Sequence, residues 1–328
     1  MDRVARGLKT SKKSLILIRG SALKERGLSA AGRISAKTGA RIACDTLAPR
    51  IQRGAGRVIV ERIPYLAEDM VAFLDGVEQL ILVGAKPPVI FAYPGKTSWP
   101  TPEDCEIMVL SHAHEDGIAA LEALAEVSNA PVKPGNVAML ARTALPQSGK
   151  LDARAVMEVI AHCLPEGAIV ADEAITSGLP YFSYTATAAP HDYLNLSGGA
   201  IGGMVPVGIG AAVACPDRKV ICLEGDGSAM YTLQALWTQA RKRLDVTTVI
   251  YANRSYAILN IELARLGVDN PGLTTRLLFD LHDPTLDWVK LAEGMGVEAA
   301  RAETAEQFAD LFASAMKARG PRLIEAVI

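Results

Sequence analysis

Residues 220–253 read VICLEGDGSAMYTLQALWTQARKRLDVTTVIYAN, and this stretch decides the fold class. Its first four residues and the run 246–251 are typical of buried strands, and the apolar spacing of 228–242 predicts a helix between them. Asp226 follows the first strand, and Asn253 follows the second strand 27 positions later. In a parallel strand–helix–strand unit, both side chains lie at the carboxyl edge of the sheet, where such sheets bind ligands.

The polar groups of this stretch suit a divalent cation held beside a diphosphate. A carboxylate and an amide oxygen are hard ligands, which Mg²⁺ binds together with the phosphates of a substrate or cofactor. Gly225 and Gly227 let the backbone approach a diphosphate, and the free amides from Ser228 onward at the predicted helix start would complement its charge. The alternative is an ordinary turn in which Asp226 caps the helix and Asn253 is a loop residue.

The motif resembles that of thiamine diphosphate (ThDP) enzymes in the acetolactate synthase, pyruvate oxidase and benzoylformate decarboxylase group. In that family a GDG motif is followed at this spacing by a pair of asparagines, and here Ala252 replaces the first of them. The resemblance implies three protein ligands for Mg²⁺. They are the Asp226 carboxylate, the Asn253 side-chain oxygen and the Ser255 main-chain carbonyl.

A second, glycine-rich stretch supports the resemblance. Residues 195–213 read NLSGGAIGGMVPVGIGAAV, and small residues let a helix pack closely on a sheet or on a cofactor ring. In the family, a bulky apolar side chain separates the two rings of ThDP, and the matching residue here is Ile201, 25 positions before Asp226. The resemblance also implies that the Gly199 carbonyl accepts a hydrogen bond from the amino group of the aminopyrimidine. A helix start that merely packs closely is the alternative.

Contacts with the diphosphate are implied at the ends of two predicted strands. The implied residues are Gly225, Gly227, Ser228, Thr176 and Ser177. The last two follow the predicted strand 168–171, and their hydroxyl groups could reach a diphosphate. A capped turn explains these two hydroxyl residues equally well.

Composition indicates an intracellular α/β protein. The chain has 328 residues, half of them apolar, and a net charge of −2, which gives no electrostatic case for a nucleic acid or membrane partner. Its five cysteines form no CxxC pair, so free thiols in a reducing compartment are expected. The sequence contains neither an apolar run of membrane-spanning length nor a signal-peptide core. We therefore predict a cytoplasmic protein.

Strands and helices alternate in two blocks, which predicts two α/β domains, each with a mostly parallel sheet and helices on both faces. Residues 131–150 are punctuated by proline and glycine and are predicted to link a domain at 1–130 to a domain at 151–328. The strands predicted for the first block are 14–18, 41–44, 78–83, 89–93 and 106–110.

The resemblance assigns 1–130 to the central domain and 151–328 to the diphosphate-binding domain of three-domain ThDP enzymes. FAD, which some central domains bind, is not predicted, because 1–130 contains no G-x-G-x-x-G sequence. No segment matches the pyrimidine-binding domain, which supplies the activating glutamate, so we assign no catalytic residue. A fragment or truncated chain is the favoured explanation, with a split enzyme as another.

The predicted function is that of a ThDP- and Mg²⁺-dependent decarboxylase or carboligase of the acetolactate synthase type, acting on a 2-oxo acid. A catalytically inactive binding or assembly subunit that keeps the cofactor pocket is the alternative. The predicted partners are a pyrimidine-binding domain, in cis or in trans, and further copies of the chain in a homo-oligomer.

Two histidine-containing segments receive a structural interpretation. Residues 111–116 read SHAHED, which resembles a set of metal ligands, but polar capping at the start of a helix explains the sequence better. His191 is predicted to be an exposed loop residue, and a role as acid or base at the entrance to the site is the alternative.

Overall fold

The computed structural model describes residues 1–10, 12–90, 97–146 and 148–328. The chain divides into two compact units, Met1–Met139 and Leu140–Ile328. This division falls inside the predicted linker. Within the described residues, no helix is both long and apolar enough to cross a membrane.

The first unit contains a parallel sheet with helices packed against it. The strands of this unit are β1 Ser14–Ile18, β2 Arg41–Cys44, β3 Arg50–Arg53, β4 Glu61–Arg62, β5 Gln79–Val83 and β6 Glu106–Ser111, and all of them except β3 belong to the parallel sheet. Its helices are α1 Asp2–Gly7, the 3₁₀ helix Gly20–Leu23, α2 Glu25–Thr38, α3 Ala67–Leu74 and α4 Gly117–Val127. Among the described residues the parallel sheet has the order β4–β2–β1–β5–β6.

The centre of this sheet is buried on both faces. Every residue of β1 and of β5 is buried, as expected for inner strands of a parallel sheet that is covered on both sides. The strand predicted at 89–93 extends into 91–93, which lie outside the described residues.

The second unit contains a longer parallel sheet. Its strands are β7 Ile169–Glu173, β8 His191–Asn195, β9 Val220–Gly225, β10 Val246–Ala252, β11 Glu298–Ala302 and β12 Arg322–Val327. Its helices are α5 Ala153–Cys163, α6 Tyr181–Tyr184, α7 Met204–Ala214, α8 Asp226–Ala229, α9 Ala235–Lys242, α10 Ala257–Arg265, α11 Leu273–Phe279, α12 Trp288–Gly294 and α13 Ala305–Lys317. The predicted α/β class is confirmed.

The order of these strands creates a switch point in the second sheet. The strands of this unit lie in the order β11–β12–β10–β9–β7–β8, and neighbouring strands run parallel. The chain starts at β7, adds β8 on one side, and then continues with β9 on the other side. Open parallel sheets bind ligands beyond the carboxyl ends of strands at such a point. The GDG motif, at the end of β9, therefore lies where the topology leaves a crevice.

The single helix predicted over 228–242 is wrong, because α8 and α9 are separated by turns at 230–234. The Thr232 hydroxyl donates a hydrogen bond to the Gly202 carbonyl at 2.8 Å, and so ties this segment to another part of the unit. The amide of Tyr231 bonds the carbonyl three residues earlier, as in a tight turn. A tertiary contact thus outweighs the helical pattern of apolar residues.

Candidate functional site

Asp226 lies at the junction of β9 and α8 and is 3% exposed. Its Oδ1 accepts the Gly227 amide at 2.9 Å, and its Oδ2 accepts the Arg254 amide at 2.6 Å. Because Arg254 belongs to the loop after β10, the second bond joins the two strand ends that the sequence pattern had paired.

The environment of Asp226 disfavours an unpaired negative charge. Burial raises its pKa to about 6, the amides of Arg254 and Gly227 oppose the rise, and the charge of Glu325 adds to it. A bound cation would stabilise the ionised carboxylate in such a place. Since each carboxylate oxygen has two lone pairs, the two amide bonds leave capacity for a metal ligand bond.

The loop after β10 presents the other predicted metal ligands. Arg254 has a φ of 56°, in the left-handed region, and this reversal brings the Ser255 amide to the Asn253 Oδ1 at 2.9 Å. The Ser255 hydroxyl accepts a bond from the Asn260 side chain at 3.0 Å. Asp226 therefore meets the loop that holds Asn253 and Ser255, and carboxylate, amide and carbonyl oxygens suit Mg²⁺.

Clusters of three or more His, Cys, Asp or Glu suited to a metal do not occur in the described part of the chain. The predicted ligand set is of another kind, because it contains one carboxylate, one amide oxygen and one main-chain carbonyl. The donors here fit a hard cation that takes its remaining ligands from a phosphate and water.

The loop between β8 and α7 exposes its backbone. Gly198 and Gly199 have φ values of 73° and 76°, which favour glycine, and open space surrounds the place where a side chain would begin at each. Ile201 lies in the same loop and is partly exposed. A planar group could approach this backbone closely, as the predicted contacts with the aminopyrimidine require.

The end of this loop is attached to β7. The Glu173 carboxylate accepts hydrogen bonds from three consecutive amides: Gly202, Gly203 at 2.8 Å and Met204 at 2.9 Å. Glu173 is not among the predicted site residues, because the strand is predicted to end at 171, whereas β7 continues through Glu173. The sequence feature that could have identified Glu173 is an acidic residue at the end of a predicted strand, in a chain that also contains a glycine-rich loop.

Thr176 and Ser177 lie in the turns that follow β7. Ile175 has a φ of 48°, and the Ser177 amide donates to the Ala174 carbonyl at 3.0 Å. Asp172 closes the same turn by accepting the Ala174 amide at 2.9 Å. Since β7 and β9 are neighbours, this turn lies at the strand end adjacent to the GDG motif.

The prediction of an exposed loop position for His191 is wrong. His191 begins β8 and is 4% exposed. Its Nδ1 donates to the Ala189 carbonyl at 2.7 Å, and its Nε2 lies 3.0 Å from the Tyr181 hydroxyl, which donates to it when the ring is neutral. β8 pairs in parallel with β7 from Asp192 onward, which the polar sequence around His191 did not indicate.

The capping interpretation of 111–116 is confirmed. Asp116 is the N-cap of α4 and accepts the amides of Ile118 and Ala119, each at 3.0 Å. The rings of His112 and His114 stack with centroids 5.7 Å apart.

Comparison with known proteins identifies the family. Residues 178–326 match the model of the family described as thiamine pyrophosphate enzyme, C-terminal TPP binding domain, where thiamine pyrophosphate is another name for ThDP. A Mycobacterium tuberculosis H37Rv protein, named as an acetolactate synthase large subunit, IlvX, is 49% identical over 329 residues. That alignment covers 99% of this chain and 63% of the relative. Residues 178–326 therefore match the C-terminal TPP-binding domain of the ThDP-dependent enzyme family.

Two proteins named as decarboxylases are also similar to this chain. Benzoylformate decarboxylase of Pseudomonas aeruginosa is 33% identical over 207 residues, which are 62% of this chain and 38% of that protein. The solved ThDP-dependent 4-hydroxybenzoylformate decarboxylase of Rhodococcus jostii superposes with a TM-score of 0.79 at 25% identity. That superposition covers 99% of this chain and 63% of the solved chain. The chain thus spans less than two thirds of the length of these relatives.

Proposed function

We propose that the second unit binds ThDP and Mg²⁺, and that the chain takes part in the decarboxylation or carboligation of a 2-oxo acid. The observation that carries the proposal is the hydrogen bond from the Arg254 amide to Asp226 at 2.6 Å. It joins the GDG motif to the loop of Asn253 and Ser255 at the switch point of a parallel sheet.

In this proposal Mg²⁺ is held by the Asp226 carboxylate, the Asn253 side-chain oxygen and the Ser255 carbonyl. The buried, partly bonded carboxylate of Asp226 supports the assignment, because burial without a cation raises its pKa. Mg²⁺ would neutralise the diphosphate and hold it beside the backbone of Gly227 and Ser228.

Five more residues are proposed to orient the cofactor. The open backbone at Gly199 supports its role as the acceptor for the aminopyrimidine, and Ile201 would separate the two rings. Thr176 and Ser177 are proposed to reach the diphosphate from the end of β7, and Gly225 would admit it at the end of β9. When bound, ThDP would supply carbanion chemistry through its thiazolium ring, and these residues would position the aminopyrimidine and the diphosphate on either side of that ring.

Activity, substrate and partners of the whole protein also belong to this proposal. The printed names of the relatives, acetolactate synthase and benzoylformate decarboxylase, support a 2-oxo acid as substrate. A pyrimidine-binding domain, in cis or as a separate subunit, would supply the glutamate that activates the aminopyrimidine. Assembly with further copies of the chain and a cytoplasmic location are proposed as well.

A calorimetric titration with ThDP and Mg²⁺ tests the pocket, and assays with pyruvate and benzoylformate test the chemistry. We expect Asp226→Ala to weaken Mg²⁺-dependent binding of ThDP by at least about 100-fold. Asp217→Ala is the matched control, because Asp217 is exposed in the same unit. Unchanged affinity in Asp226→Ala would show that the metal assignment is wrong, and binding without turnover would favour a binding or assembly subunit.

A further inference from the structure

The N-terminus of α7 is capped by a carboxylate from another element. The residue before this helix is Gly203, which has no side chain, so α7 has no local side-chain cap. The amides at a helix start lack partners within the helix. Glu173, at the end of β7, supplies acceptors to Gly202, Gly203 and Met204. Since both of its oxygens accept amides, it has the pattern of an ionised carboxylate.

A second buried glutamate lies beside Glu173. Glu224 on β9 is the register partner of Glu173 on β7, and the two residues are 0% and 1% exposed. Burial, followed by the charges of Glu173 and Asp172, raises the pKa of Glu224 well above its usual value, while the Val205 amide opposes the rise. Neither Glu224 oxygen has a hydrogen-bond partner of normal geometry in the described part of the chain. The two glutamates therefore differ, because Glu173 accepts the three loop amides and Glu224 accepts none of them.

The amides bound by Glu173 lie at the carboxyl end of the loop that contains Gly199 and Ile201. Gly202 has a φ of 88°, and its carbonyl accepts the Thr232 hydroxyl at 2.8 Å, so the loop is held from two sides. The first half of the loop has open space around Gly198 and Gly199. The position of that open half is therefore set by the attachment of its other end.

We propose that Glu173 is a positioning residue that places the Gly199 carbonyl and the Ile201 side chain for the aminopyrimidine half of ThDP. This inference rests on the proposed ThDP site. The diphosphate half depends on other groups, at 176–177, 225–228 and 253–255. Loss of the Glu173 carboxylate should therefore weaken contacts with the ring and leave contacts with the diphosphate.

The test compares two probes on the full chain by calorimetry: ThDP with Mg²⁺, and inorganic pyrophosphate with Mg²⁺. In Glu173→Gln an amide group replaces one acceptor oxygen and confronts backbone donors. We expect this variant to bind ThDP at least about tenfold more weakly and pyrophosphate within about twofold of wild type. Glu224→Gln is the matched control and should change neither affinity by more than about twofold, because Glu224 is buried beside Glu173 but accepts none of the three loop amides.

Hydrogen exchange provides a local readout of the same substitution. The amides of Gly202, Gly203 and Met204 should exchange faster in Glu173→Gln than in wild type or Glu224→Gln. If Glu173→Gln does not fold, Glu173→Asp keeps the charge and withdraws it by one methylene, and it should show the same selective loss of ThDP affinity.

The outcomes separate this inference from the proposed function. If wild type binds ThDP and the Glu173 variant binds it equally well, the positioning role is wrong and the ThDP site stands. An equal loss of affinity for both probes also contradicts the positioning role, because it indicates general damage to the site. A wild-type chain that binds no ThDP overturns both.

Discussion

Four acidic side chains are buried at the carboxyl ends of β7 and β9: Asp172, Glu173, Glu224 and Asp226. Buried carboxyl groups are unfavourable unless they are hydrogen-bonded, paired or bound to a cation. Asp172 accepts the Tyr193 hydroxyl at 2.6 Å, and Glu173 and Asp226 accept amides. Glu224 lacks such bonds within the described residues, so its neutral form is favoured.

The stability of the ligand-free protein should depend on pH through Glu224. The pKa of Glu224 is raised in the folded protein, so folding favours the protonated carboxyl group. The stabilisation is complete below the pKa that Glu224 has in the unfolded chain. It is lost as pH rises from that value toward the pKa of the folded protein. Glutamine does not titrate. Glu224→Gln should therefore match wild type near pH 4 and become relatively more stable at higher pH, by up to about 1.4 kcal/mol per pH unit. Urea unfolding at several pH values measures this, and a pH-independent difference would contradict it.

At the scale of elements, α7 lies close to the sheet because of one glycine. A side chain at Gly208 would collide with the Cys222 sulfur on β9, whereas one at Gly210, in the same helix, would meet open space. The apolar cluster that contains Met204, Ala212 and Cys222 depends on this close packing. The two glycines therefore have opposite roles in one helix.

We expect Gly208→Ala to lower the free energy of unfolding by about 1–3 kcal/mol, because the added methyl group forces α7 away from β9. Gly210→Ala is the control and should raise stability by roughly 0.5–1 kcal/mol, because alanine is the better helix former. Denaturant unfolding measures both variants. Equal effects of the two substitutions would mean that α7 does not pack as described.

Another element-scale contact is the bond between Thr232 and Gly202, which connects the turns after α8 with the loop before α7. Thr232→Val keeps the shape of the side chain and removes the hydroxyl donor. We expect it to destabilise the unit by about 1 kcal/mol, because the partly buried bond is lost. Thr285→Val, which removes a hydroxyl bond from an exposed turn, is the control and should have a smaller effect. A thermal melt compares the two, and a Thr232 variant as stable as wild type would show that this contact does not hold the segment.

At the scale of the whole molecule, the proposed site makes stability dependent on ligands. A ligand that binds only the folded state stabilises it by about 2.7 kcal/mol at a concentration 100 times its Kd. ThDP and Mg²⁺ together should therefore raise the Tm. Either one alone should raise it less, because in the proposed site Mg²⁺ is bound partly by the diphosphate and the diphosphate partly by Mg²⁺. Differential scanning fluorimetry with the Asp226→Ala variant as control measures the effect. No shift with both ligands would argue against the site.

The sequence by itself determined the α/β class, the family and the pairing of Asp226 with the Asn253 loop. These features depend on local patterns, since a strand, a glycine turn, a helix and a second strand follow one another within 220–253. In a parallel strand–helix–strand unit, the carboxyl ends of both strands lie at the same edge of the sheet, independently of the rest of the chain. The end of the strand that contains Glu173 and the end of the helix that begins at Asp226 were less predictable. The ends of strands and helices depend on contacts with neighbouring elements.

Only the tertiary structure decided which groups support that edge. Glu173 meets Gly202 across 29 positions, and the contact exists because β7 and α7 pack together in this strand order. His191 is buried at the start of β8, where its ring contacts the Tyr181 hydroxyl and the Ala189 carbonyl. The predicted helix over 228–242 is divided by turns, which Thr232 ties to the distant Gly202 carbonyl. Local propensity is weak compared with such contacts, so residues far apart in the chain determine these details.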